Sequence, residues 1–298
     1  MTWFHLRTPL ALLALAVVAA CGGKAAYLQG ALSTSADVVT YEADGATYRV
    51  VTVSPGDTPG NRHLYFVGGS GCAALAVYMQ TYVEALDEAF VLHGIEKTGT
   101  PQRGLGLSCP PEFWENYTYE QLVERNQKGL DIVQRATGAP IEAIIGVSEG
   151  GPVAVELAAA HPEIPALVLL GAGGLAQREE LLILARRQGR EAAMRASFDQ
   201  VAARPDSLSD RVMGLPHRYW SSVLDADPGP LLKRLKQRVL IVIGEADESV
   251  PVESARRADD LAARSTLVVV PDASHTFDTP NGNQRATVMG RVSDFLAR

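Results

Sequence analysis

Short, almost uninterrupted apolar runs recur along this 298-residue chain at 63–67, 89–95, 143–147, 166–170, 239–243 and 266–270. A strand that reads as a continuous apolar run is buried on both faces, and strands separated by helix-length connections pair in parallel. Helical patterns fill most of the intervals, at 74–86, 119–136, 152–160, 252–263 and 284–297. The alternation predicts an α/β fold: a mostly parallel sheet with helices on both faces. Two further β-rich runs, 38–42 and 46–54, flank Asp44-Gly45, a strong signal for a two-residue type I′ hairpin that opens the sheet.

One interval breaks the rhythm. Residues 175–237 are helical in pattern and rich in Arg, Ala and Leu. Extra structure after a strand of an α/β sheet lies over the site at the strands' carboxyl ends, so this segment is expected to be a helical lid; the alternative is a peripheral decoration. No Ser/Gly- or Pro-rich linker divides the chain beyond its first few dozen residues, and one domain over 37–298 is expected. Net charge of −7 gives no basic stripe to neutralise phosphates, which argues against nucleic acid as a partner.

The first segment reads as a targeting signal. Arg7 is the only formal charge in residues 1–9, and the apolar run 10–20 is too short to span a bilayer. The run closes on Val18-Ala19-Ala20-Cys21-Gly22, which resembles a bacterial lipobox. That resemblance implies a signal peptide over 1–20, lipidation of Cys21, a polar leader over 21–36, and a protein tethered in the bacterial cell envelope, facing the periplasm or the exterior. The alternative is ordinary secretion. In either case Cys72 and Cys109 would reside where disulfides persist, and a Cys72–Cys109 pair is expected against the alternative of two buried thiols.

The chemistry is expected at Gly146-Val147-Ser148-Glu149-Gly150. A serine hydroxyl is a weak nucleophile until a base takes its proton, and a tight strand-to-helix turn holds it exposed while glycines avoid clashes. The apolar lead-in 143–145 and the helical run from Pro152, a residue suited to a first helical turn, supply that setting. In such a turn the partners follow in the order Ser, carboxylate, His. His275, in the loop after the last apolar run, is the candidate base, with His161 and His217 reading as a helix end and a lid residue. Asp247, three residues past Gly244, is the candidate carboxylate, with Glu245 and Asp272 competing. For the oxyanion, the candidates are the backbone N–H groups of Glu149, at a helix N-terminus, and of Ser70, in the glycine-rich turn Gly68-Gly69-Ser70-Gly71. The alternative for those glycines is a tight turn without a ligand.

Together these motifs, with Gly244-Glu245-Ala246-Asp247, Val250-Pro251 and Ser274-His275-Thr276-Phe277, resemble the α/β-hydrolase superfamily over nearly all of the chain beyond Val38. The resemblance implies an eight-stranded sheet, no metal, no cofactor, and acyl transfer to water through an acyl-Ser148 intermediate on a small-molecule substrate. One departure is Gly68-Gly69 where many members carry His-Gly. Gly69 and Trp220 are expected substrate contacts, and Tyr219 and Phe198 line an acyl pocket or form lid core. Glu149 either binds a substrate ammonium, as a peptidase acting on free N-termini requires, or complements the helix dipole; Glu96-Lys97 receive no role. An ester hydrolase is the leading expectation, followed by a serine peptidase and by a non-catalytic envelope lipoprotein that keeps the fold for binding.

Overall fold

The computed structural model describes residues 36–56, 60–83, 85–102 and 104–298; the expected signal peptide, Cys21 and the leader up to residue 35 lie outside the described residues. Asp44 and Gly45 both take positive φ, 51° and 76°, as the twist of a two-residue hairpin requires. They join β1 (Asp37–Ala43) to antiparallel β2 (Ala46–Val53), with Ala43 opposite Ala46.

From there the chain alternates. β3 (Arg62–Val67) leads to α1 (Leu75–Val83), and β4 (Phe90–Ile95) to a short α2 (Pro111–Glu115) and a long α3 (Tyr119–Thr137). β5 (Ile141–Val147) leads to α4 (Gly150–Ala160) and then β6 (Ala166–Leu170). Next come α5 (Gln177–Arg187), α6 (Glu191–Ala203), a tiny hairpin of β7 (Arg211–Val212) and β8 (Leu215–Pro216), α7 (His217–Val223) and α8 (Gly229–Leu232). β9 (Arg238–Gly244), α9 (Val252–Leu261), β10 (Ser265–Val270), a second tiny hairpin of β11 (Asp278–Thr279) and β12 (Gly282–Asn283), and α10 (Arg285–Leu296) complete the order.

Eight strands form one sheet in the order β1-β2-β4-β3-β5-β6-β9-β10, antiparallel at β1/β2 and β2/β4 and parallel elsewhere. The architecture expected from the apolar runs is the one observed. Successive side chains of a strand point to opposite faces, and here each set has a core to enter. Leu167 and Leu169 of β6 and Val239, Ile241 and Ile243 of β9 pack with α3, α4 and α9; Ala166, Val168, Leu170, Leu240 and Val242 pack with α1 and α10. Both sets are essentially dry, which is why these strands read as unbroken apolar runs rather than as alternations.

Some boundaries differ from expectation. α1 is shorter than the run 74–86, and α2 and the two-residue hairpins are too brief to leave a periodic signal. The segment 175–237 is helical, as its pattern indicates, and it is interrupted by the β7/β8 hairpin.

A disulfide joins Cys72, just after β3, to Cys109, in the loop that follows β4, with the Cα atoms 5.6 Å apart. A bridge between Ala73 and Leu105 and a bond from the Ala74 N–H to the Gly104 carbonyl (2.7 Å) tie the same two loops. Closing a loop between cysteines 37 residues apart removes entropy from the unfolded chain worth about 4 kcal/mol. A Cys72→Ser, Cys109→Ser double variant should lose stability of about that size in urea unfolding; a loss below ~1 kcal/mol would show that the bridge does not restrain the unfolded chain.

Candidate active site

The turn after β5 leaves no room for side chains at its ends. A Cβ on Gly146 would lie 2.5 Å from the Gly150 carbonyl oxygen, and one on Gly150 only 2.3 Å from that of Val67. Glycine at both positions lets the amino end of α4 abut the carboxyl end of β3. Between them Ser148 takes φ +53°, a left-handed conformation that costs a non-glycine residue of order 1–3 kcal/mol. Bonds from the Ser148 N–H to the Leu170 carbonyl (2.9 Å) and from the Gly151 N–H to the Ser148 carbonyl (2.8 Å) hold it there.

The hydroxyl thus raised meets His275. Ser148 Oγ lies 2.9 Å from His275 Nε2, and His275 Nδ1 lies 2.8 and 3.0 Å from the two carboxylate oxygens of Asp247. A carboxylate only accepts, so Nδ1 carries the ring proton, and the Nε2 lone pair accepts from the serine hydroxyl. Asp247 is itself fixed: it is buried, and its Oδ1 accepts from the N–H groups of Ser249 and Val250, both at 2.8 Å. Phe277, buried among the residues packed with α1 and α10, anchors the loop that carries His275. Of the competing carboxylates, Glu245 accepts from the Asp272 N–H (3.3 Å), and the hydrogen bonds to the His275 ring come from Asp247.

Burial alone disfavours the His275 imidazolium. The hydrogen bond and charge of Asp247 outweigh it, with Glu248 adding more distant negative charge, and the pKa lies above the ordinary 6.5. Glu248 also accepts from the His275 backbone N–H (3.2 Å).

Ser148 and His275 open on a cavity of about 350 Å³ whose wall also includes Ser70 and Glu149. The segment 175–237 supplies much of the rest, through Leu181, Leu184, Met213, Leu215, Tyr219, Trp220 and Val223. Trp220 is buried, with its indole N–H bonded to the Val212 carbonyl (2.7 Å), so its ring is a fixed wall. Phe198 is buried beside Val201 and is not among the lining residues; it belongs to the core. Gly69 lies against Ser148, where an added Cβ would be 3.4 Å from the serine Cβ. His161 pairs with Glu163 at 3.0 Å, and His217 is buried with Nδ1 3.3 Å from the Arg204 carbonyl oxygen, both away from Ser148.

Two carboxyl groups at the site have partners that the sequence does not indicate. The Glu149 carboxylate, 5% exposed, accepts from Lys97 Nζ (2.8 Å) and from the Tyr117 hydroxyl (2.6 Å). Tyr117 stacks on Tyr219 at 4.8 Å, and burial followed by the charge of Glu149 raises its pKa, so it keeps the proton it donates. Glu180 of α5 lines the cavity, where burial pushes its pKa up to about 8; Ser254 donates to it at 2.5 Å. Its partner lies 74 positions away in the chain, a distance no local pattern encodes.

Comparison of the sequence with protein-family models gives no match, and comparison with curated proteins gives none either. The fold, by contrast, has many counterparts among solved structures. The esterase domain of a Rhodothermus marinus protein is similar at 16% identity and TM-score 0.58, over 88% of this chain and 97% of that one. An α/β-hydrolase-fold protein from Chitinophaga pinensis (16%, TM-score 0.58, 88% and 98%) and an esterase from Exiguobacterium antarcticum (16%, TM-score 0.58, 86% and 97%) are similar to the same degree. The chain has the α/β-hydrolase fold.

An NMR titration of the His275 imidazole should give a midpoint above 6.5. Glu248→Gln removes a negative charge that favours the imidazolium and should move the midpoint down; an unchanged or higher value would contradict the electrostatics described.

Proposed function

We propose that the chain is a serine hydrolase of carboxylic esters, acting through Ser148, His275 and Asp247. The observation that carries this reading is the continuous hydrogen-bonded series from the Ser148 hydroxyl through the imidazole to a buried, doubly capped carboxylate. The left-handed backbone at Ser148 supports it, since strain of this kind gathers where a side chain must be presented to a ligand.

In this mechanism His275 Nε2 takes the Ser148 proton as Oγ attacks the ester carbonyl, and Asp247 stabilises the resulting imidazolium. Negative charge moves to the carbonyl oxygen, where the N–H groups of Glu149 and Ser70 receive it; the Glu149 N–H stands at the amino end of α4, whose dipole favours an anion. The imidazolium returns its proton to the departing alcohol, leaving an acyl-Ser148. Water then attacks with His275 again as base, and the acid leaves. The largely apolar wall of Leu181, Leu184, Met213, Leu215, Trp220 and Val223 suits an uncharged substrate of small to medium size.

The peptidase reading asks Glu149 to bind a substrate ammonium. That carboxylate is already taken by Lys97 and Tyr117, and burial, which pushes the Glu180 pKa up to about 8, biases Glu180 toward its neutral form. Both observations favour esters. Esterases from R. marinus and E. antarcticum share the fold. The lipobox-like Val18-Ala19-Ala20-Cys21 supports placing the enzyme in the bacterial cell envelope on a lipid anchor.

A fluorophosphonate probe should label the wild type on Ser148, and Ser148→Ala should abolish labelling and lower turnover of p-nitrophenyl esters by roughly four to six orders of magnitude. Activity that survives this change would remove the mechanism. Aminoacyl-nitroanilides should be turned over far more slowly than the esters, and the reverse order would favour the peptidase. In a bacterial host, Cys21→Ala should move the protein from the membrane fraction to the soluble one; retention in the membrane would end the lipid-anchor proposal.

A further inference from the structure

We infer that Lys97, which the reaction scheme above does not use, is a positioning residue for the oxyanion-binding peptide groups. The inference rests on the reading of Ser148 as nucleophile with Ser70 and Glu149 as oxyanion donors. An ammonium has three N–H donors. Here three acceptors meet them: the Gly69 carbonyl at 2.6 Å, the Glu149 carboxylate at 2.8 Å and, more loosely, the Gly71 carbonyl at 3.3 Å.

The first of these bonds fixes a peptide plane. A trans peptide is flat, with its C=O and N–H pointing in opposite directions, and no cis bond occurs among the described residues. Lys97 therefore holds the carbonyl side of the Gly69–Ser70 unit and turns the Ser70 N–H away from itself. Ser70 lines the cavity of Ser148 and His275; Lys97 does not, and lines instead a smaller neighbouring hollow that Ser70 and Glu149 also border. A cation on the carbonyl also polarises the peptide, which makes its N–H a stronger donor. The second bond reaches Glu149, whose backbone N–H is the other donor, so one ammonium links both halves of the oxyanion site. Tyr117 completes the frame: its hydroxyl donates to Glu149 and accepts the Gly71 N–H (3.0 Å), which occupies that N–H outside the cavity.

Lys97 and Tyr117 themselves are not part of the cavity wall. Loss of this frame should therefore weaken binding of the tetrahedral state and spare the ground state. With the full-length protein and p-nitrophenyl butyrate, Lys97→Met should lower kcat by roughly tenfold to a hundredfold, with KM unchanged to within about twofold. Affinity for a trifluoromethyl ketone, whose adduct on Ser148 carries an oxyanion, should fall in the same proportion. Lys97→Arg, which keeps the charge and several donors, should recover most of the rate. Wild-type kcat in Lys97→Met, or a fall in kcat with ketone affinity intact, would overturn the inference. Should Lys97→Met fail to fold by circular dichroism, Glu149→Gln takes its place, removing the anion that holds the ammonium: lower kcat at constant KM supports the inference, and unchanged kcat overturns it. The underlying reading is scored separately, on the wild type and Ser148→Ala. A wild type inert toward both fluorophosphonate and ester defeats that reading and this inference with it, whereas an active wild type with an indifferent Lys97→Met defeats this inference alone.

Discussion

Everything at the site depends on how closely two pieces of backbone can approach. The carbonyl of Val67, at the end of β3, lies where a Cβ of Gly150 would otherwise stand, and the Gly150 carbonyl crowds Gly146 in the same way. This packing brings the loop after β3, the turn at Ser148 and the first turn of α4 into one small volume. Parallel strands then deliver the remaining parts, because every β-to-α loop of such a sheet emerges at the same edge. Asp247 arrives after β9 and His275 after β10, from neighbouring strands in register from Ser265↔Val239 to Val270↔Gly244. A displaced α4 would leave the imidazole facing an empty space.

The sheet was legible in the sequence because burial on both faces writes itself as continuous apolar runs, and these survive without knowledge of the partners. That Ser148, Asp247 and His275 would meet was legible because chain order and strand ends constrain them. Lys97 and Glu149 were not, since an ion pair 52 positions apart obeys no period. Glu149 received two readings, substrate ligand and helix-dipole charge, and its carboxylate is bound by two side chains from elsewhere in the fold. The aromatic residues divide in the same manner. Trp220 and Tyr219 face the cavity while Phe198 joins the core, a distinction set by the tertiary path of α6 and α7 rather than by residue type.

Charge around the cavity is graded by burial. Asp247 is enclosed and hydrogen-bonded to two N–H groups, Glu248 is exposed at the rim, and Glu180 is enclosed with a single hydroxyl and an amide for company. Asp247 faces the imidazole directly, whereas Glu180, with its high pKa, adds polarity to an apolar wall with little fixed charge at neutral pH.

Under the proposed mechanism, the left-handed backbone at Ser148 sets stability against activity at one residue. Glycine adopts that conformation freely and asparagine tolerates it well, so either would relax the turn, yet neither carries a hydroxyl. Selection for a sturdier fold alone would draw this position away from serine. A chain that keeps serine there retains strain of order 1–3 kcal/mol, against a total stability of only about 5–15 kcal/mol for a typical domain. The two dry cores and the Cys72–Cys109 bridge are thus also what makes the strained turn at Ser148 tolerable.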